Sequence, residues 1–175
     1  MSHAVVLILG LLLGAGVALL VVRRAMPDAA PPERRILFPY VGSQLSISAL
    51  DAALRIAKVE HATLVPAYLV PVPMTLSLEA PIPRDCGHAF DLQEAIEHRA
   101  AAAGIHVDER IGRGRTVRHA LRELLDGERY DRIVVAAGTA HTDGLSSAEV
   151  AWLLEHAPGE VVVLRPADEA ALAAV

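Results

Sequence analysis

Five short apolar runs separated by amphipathic segments constrain this 175-residue chain more than any other feature. The runs are RILFPYV (35–41), TLVPAYLV (63–70), IHVDERI (105–111), RIVVAA (132–137) and VVVL (161–164). Between them the apolar residues recur at helical spacing. Ile47, Leu50, Leu54 and Ala57 stripe a helix over 46–59, and a second helix covers 89–103. Val117, Ala120, Leu121 and Leu124 mark a third helix from Thr116. Val150, Leu153 and Leu154 give the buried side of a fourth over 147–155. Such alternation predicts an α/β fold: a doubly wound five-stranded parallel sheet with helices on both faces.

The strand order follows from which runs tolerate water. RIVVAA is apolar on both faces and belongs in the middle, whereas IHVDERI alternates polar and apolar, as an edge strand does. With right-handed crossovers, numbering the runs along the chain, the order is 3-2-1-4-5. Val161, Val162, Val163 and Leu164 then form the opposite edge, which a second subunit or the chain's own tail must cover. Pro66 is awkward in the second run because it lacks a ladder donor. The stretch 71–88, with prolines at 71, 73, 81 and 83, reads as irregular, and 167–175 as a frayed tail.

Ahead of this domain, Ala4 to Val22 carry no charged or amide side chain. At about 1.5 Å per residue that run spans the roughly 30 Å hydrocarbon core of a bilayer. A cleaved signal would place its basic residues first, but here Arg23 and Arg24 follow the apolar run. The expectation is a single-pass anchor (1–24) in the cell inner membrane, N-terminus outside, then a linker (25–34), a cytoplasmic domain (35–166) and the tail (167–175). Gly10, Gly14 and Gly16 give the anchor a small-residue face on which another helix can pack.

Charge and cysteine usage narrow the function. A net charge of −5 argues against nucleic acid as a partner. The single cysteine, Cys86, forms no intrachain disulfide and suits a reducing compartment. Eight histidines show no zinc-type spacing, and no Ser-His-Asp elbow, paired-carboxylate motif or full Walker sequence is present, so no metal or catalytic residue is assigned. Arg110, Arg113, Arg115 and Arg118 cluster in ERIGRGRTVR, either as a clamp for phosphate or carboxylate, as a contact with anionic lipid headgroups, or as a solvated turn paired with Glu109, Glu123 and Asp126.

Three motifs, ILFPYVGS, DRIVVAAGT and EHAPGEVVVLRP, in this order and spacing, make the domain resemble the universal stress protein family over roughly Arg35 to Pro166. The stretch after the second strand is similar to versions of that domain attached to membrane transporters. ATP-binding members carry an aspartate just before the Gly-Ser that ends strand one. They also carry a loop after strand four with the pattern Gly, two residues, Gly, nine residues, Gly, Ser or Thr. Here the acidic position is Val41, the first two glycine positions are Ala136 and Thr139, the final pair is Ser147 and Ala148, and the loop is about two residues shorter. Such glycines let backbone N–H groups approach phosphate without a Cβ in the way.

The resemblance therefore implies a degenerate cleft with no cofactor. If ATP or AMP does bind, the contacts are Gly42, Ser43, Gly138, Thr139, Ser146 and Ser147. Ser146 with Glu149 reads instead as a helix capping box. Asp143 is the only acid in the loop, too little for an ATP hydrolase. The functional expectation is a membrane-anchored, non-catalytic accessory or regulatory subunit acting through protein contacts. Its partners are the membrane, and either itself through strand five or a larger assembly such as a transporter or respiratory complex. The alternative is an adenine-nucleotide sensor.

Overall fold

The computed structural model describes residues 33–80, 82–138, 143–165 and 171–173, without the side chains of 83–86 and 171–173. The predicted anchor, with Gly10, Gly14 and Gly16, lies outside the described residues. Among those described, no helix is long and apolar enough to cross a membrane.

The elements run β1 (Arg35–Tyr40), β2 (Gln44–Ser46), α1 (Ile47–Glu60), β3 (Thr63–Pro71), α2 (Pro83–Ala103), β4 (Arg110–Gly114), α3 (Val117–Gly127), β5 (Arg132–Ala136), α4 (Ser147–His156), β6 (Glu160–Leu164) and β7 (Ala171–Ala173). Five of the strands form one parallel sheet in the order β4-β3-β1-β5-β6, the order read from the sequence. Alternate residues of β1 face opposite layers. Ile36, Phe38 and Tyr40 pack with Leu50 and Leu54 of α1 and Leu92 and Ile96 of α2. Leu37 packs on the other side with Leu121 of α3 and Leu153 of α4. A strand buried on both faces is what a continuous apolar run specifies.

The third run departs from expectation, and Pro66 explains where. Leu64 N–H donates to His106 O at 3.0 Å, and Asp108 N–H donates back to Leu64 O at 3.0 Å. Residues two apart on a parallel strand address the same neighbour, so residue 66 is the next donor in line and, as proline, has nothing to donate. The ladder breaks there. Val107 is left as an isolated bridge opposite Leu64, and regular pairing resumes only at Ala67 with Arg110. The strand is Arg110–Gly114 rather than 105–111. Its inward positions are Gly112 and Gly114, while Ile111 stands 50% exposed.

Three further expectations are corrected. Leu154 is 60% exposed, because Leu153 alone carries the buried side of α4 there. The second helix begins at Pro83, drawing the backbone at Cys86 into α2. The tail is not frayed at 171–173, where β7 pairs antiparallel with β2 in a separate two-stranded sheet. At those residues the tail covers β2, and among the described residues β6 has β5 as its one strand neighbour.

Candidate functional site

In a doubly wound sheet, ligands bind beyond the carboxyl ends of the strands where the order reverses. Here that point lies between β1 and β5. The chain leaves β1 through Val41, half-buried against the α3/α4 layer, and turns at Gly42, whose φ of +78° favours glycine. The next two amides point at one atom. Ser43 N–H and Gln44 N–H both donate to Asp143 Oδ2, at 2.8 and 3.0 Å. Asp143 reaches them from the far end of the loop after β5. Its carboxylate lies so close over Gly42 that a Cβ there would stand 2.3 Å from Oδ2.

The loop after β5 folds straight back on itself. Leu145 N–H donates to Ala136 O at 2.9 Å, Gly138 N–H donates to Leu145 O at 2.8 Å, and Ala137 bridges Leu145. Leu145 is fully buried behind this closure. Gly138 and Gly144 pack backbone to backbone: a Cβ on Gly144 would lie 2.7 Å from Gly138 N. These two glycines serve the loop's own closure. Ser146 caps α4, its hydroxyl accepting from Glu149 N–H at 3.3 Å while Glu149 Oε2 accepts from Ser146 N–H at 2.7 Å. Ser147 is the first residue of α4.

Of the residues the sequence nominated, the fold thus joins Gly42 and Ser43 to Asp143. It sets Gly138 against Gly144 and puts Ser146 and Ser147 at the start of α4; Thr139 lies outside the described residues. Asp143 and Gln44 were not nominated as contacts. Their partnership spans 99 residues of chain, so no local pattern signals it.

On the α1/α2 side, the ring of Tyr40, the last residue of β1, lies 5.4 Å from that of Tyr68, its neighbour on β3. Burial foremost, then Glu109 and Tyr68, holds the Tyr40 hydroxyl far above the ordinary tyrosine range, so it stays neutral. Burial and then Glu97 raise the Glu109 carboxyl. The arginines of ERIGRGRTVR do not make the pairs expected of a solvated turn. Arg110 binds Asp108 and Glu128. Arg113 donates to Ala80 O at 2.8 Å, and Arg115 donates to Pro73 O at 2.6 Å and Leu76 O at 2.8 Å. These two guanidinium groups staple the proline-bearing segment to the end of β4, because its carbonyls have no ladder to join. Among the described residues, no group of His, Cys, Asp and Glu is arranged to hold a metal ion.

Comparison with known proteins agrees with this architecture. Universal stress protein UspA from Lactobacillus plantarum superposes with a TM-score of 0.60 at 22% identity, over 77% of this chain and 99% of that one. A universal stress protein family member from Burkholderia pseudomallei gives 0.54 at 25% identity, over 80% and 100%. A universal stress protein in complex with cAMP gives 0.54 at 22% identity, over 77% and 98%. Among curated proteins none matches. The profile of the universal stress protein family matches residues 33–169, well over half of the sequence, and the chain belongs to that family.

Proposed function

We propose that this chain is a membrane-tethered universal stress protein module, not an enzyme, that serves as an accessory or regulatory subunit through protein contacts at the cytoplasmic face. One observation carries the reading. Among the described residues, the Ser43 and Gln44 N–H groups are engaged internally by Asp143, that of Gly138 by Leu145 O, and those of Ser146 and Glu149 by their capping box. The apolar edge of β6 meanwhile has, among the described residues, a strand on one side only, with Val163 39% exposed. Backbone groups along such an edge are a template for a second strand. The uncharged run from Ala4 to Val22, followed by Arg23 and Arg24, supports the tether. The partner is a second copy through β6, or a larger membrane assembly reached through Gly10, Gly14 and Gly16.

Extraction of the full chain in mild detergent, with mass from light scattering and identification of co-purifying chains, tests this reading. A dimer, or a companion chain, is expected. For the dimer, Val163→Lys should return monomer, since a charge on the edge blocks pairing. A wild-type chain that is monomeric and without companion would defeat the reading.

The second reading is an adenine-nucleotide sensor, and what favours it is that one structural neighbour is a complex with cAMP. Isothermal titration of the full chain with ATP, AMP and cAMP separates the two. No heat of binding is expected at micromolar ligand, and micromolar affinity would put the sensor first.

A further inference from the structure

We propose that the Ser43 and Gln44 N–H groups form an oxyanion subsite whose resident occupant is the chain's own Asp143 carboxylate, and that a ligand phosphoryl group enters only by displacing it. The inference is independent of anchoring and of pairing through β6. It starts from what the two donors are. Backbone amides converging on one point recognise negative oxygen and nothing else about the group that carries it. The turn at Gly42, with φ +78°, directs both amides at a single atom, and Oδ2 of Asp143 lies 2.8 and 3.0 Å from them. Those are charge-assisted hydrogen bonds of ordinary length. The subsite therefore already demonstrates its chemistry with a carboxylate. A phosphate oxygen is an equivalent acceptor bearing at least as much charge.

The same contact explains why the two amides are engaged in the native chain. A Cβ at residue 42 would overlap the Asp143 carboxylate at 2.3 Å, so the glycine leaves room for this side chain as well as for the turn. Asp143 is tethered to the cleft by the loop after β5, which makes it an intramolecular competitor. Short tethers give effective concentrations on the order of millimolar. A free phosphate must outcompete that local concentration, so ligands of modest affinity are excluded while Asp143 is seated. Displacing the Asp143 carboxylate exposes the two amides, and the ligand class they accept is a phosphate, free or carried by a nucleoside.

Titration of the full chain in detergent with inorganic phosphate and, separately, with AMP tests the displacement. Against wild type, Asp143→Ala is expected to bind phosphate about 10-fold tighter or more, because the tethered competitor is gone. Asp143→Asn retains the shape and one acceptor without the charge, so its gain should be smaller. Tightening for inorganic phosphate and AMP alike supports a bare oxyanion subsite. A further gain for AMP alone supports the same subsite with the nucleoside also held. If Asp143→Ala does not fold, Asp143→Asn decides. A folded variant that binds neither probe more tightly than wild type overturns the proposal. So does rapid hydrogen exchange at the Ser43 and Gln44 amides of the wild-type chain, because the latch would then not be formed.

Discussion

Phe38→Ala is expected to lower the unfolding free energy by about 3–5 kcal/mol. Phe38 is fully buried on β1, between β3 and β5, paired with Pro66. Its ring packs toward Tyr40 with centroids 6.2 Å apart, in the cluster that includes Leu50 and Leu54 of α1 and Leu92 and Ile96 of α2. The space left by the ring would be walled by a sheet and two helices, none of which collapses without breaking its own hydrogen bonds, so the cavity cost is felt almost in full. With about 2–4 °C per kcal/mol for a chain of this size, the thermal midpoint should fall by roughly 6–20 °C. A circular-dichroism melt of the full chain reads it directly. A loss under about 1 kcal/mol would mean that the core is not organised around β1.

Gly114→Ala should cost about 3 kcal/mol, at the upper end of what overpacking usually costs. The added Cβ would stand 2.4 Å from Ala120 N and 2.9 Å from His119 C. Both are backbone atoms in the first turns of α3, so no side chain can rotate away. To make room α3 must lift off β4, loosening Ala120 and Leu121, which are fully buried. The same shift disturbs the end of β4, where Val72 N–H donates to Gly114 O at 2.7 Å and Arg115 holds Pro73 and Leu76. Gly127→Ala is the control, since nothing lies within 4 Å of a Cβ there. Denaturant melts should show the first substitution strongly destabilised and the second within about 0.5 kcal/mol of wild type. Equal effects would refute the close approach of α3 to β4.

The β4 region shows where reading the sequence succeeds and where it stops. A wet edge strand was legible in IHVDERI, and β4 is indeed an edge. Its start was not. Pro66 was visible as an anomaly of its own strand, but the damage falls on the neighbour that should have accepted its missing N–H, and which residues those are depends on register. Gly112 and Gly114 lie in ERIGRGRTVR, a stretch that reads as a clamp or a turn around its arginines. The two glycines are the inward face of the strand: at Gly114 the backbone of α3 comes too near for a side chain, and at Gly112 the side chains of Leu124 and Leu69 already fill the space. In the same way Arg113 and Arg115 gave no sign that their partners would be carbonyls of the proline-bearing segment.

The cleft divides similarly. The Ser146–Glu149 box is local and could be read from residue identity. That Asp143 fills the turn after β1 could not be read, since the contact joins residues 100 apart through a loop whose path follows from sheet order.

What the sequence determined alone was the kind and order of the four helices and of the five strands in the main sheet: periodicity of two or 3.6 identifies strand or helix, and burial pattern ranks the strands from centre to edge. Tertiary structure decided the end of β4 nearer Pro66, the pairing of 171–173 with β2 and the contact of Asp143 with the turn after β1. The physical reason is common to all three. Each depends on a hydrogen bond or a close approach between distant segments, and a backbone amide carries no mark in the sequence of the acceptor it will meet.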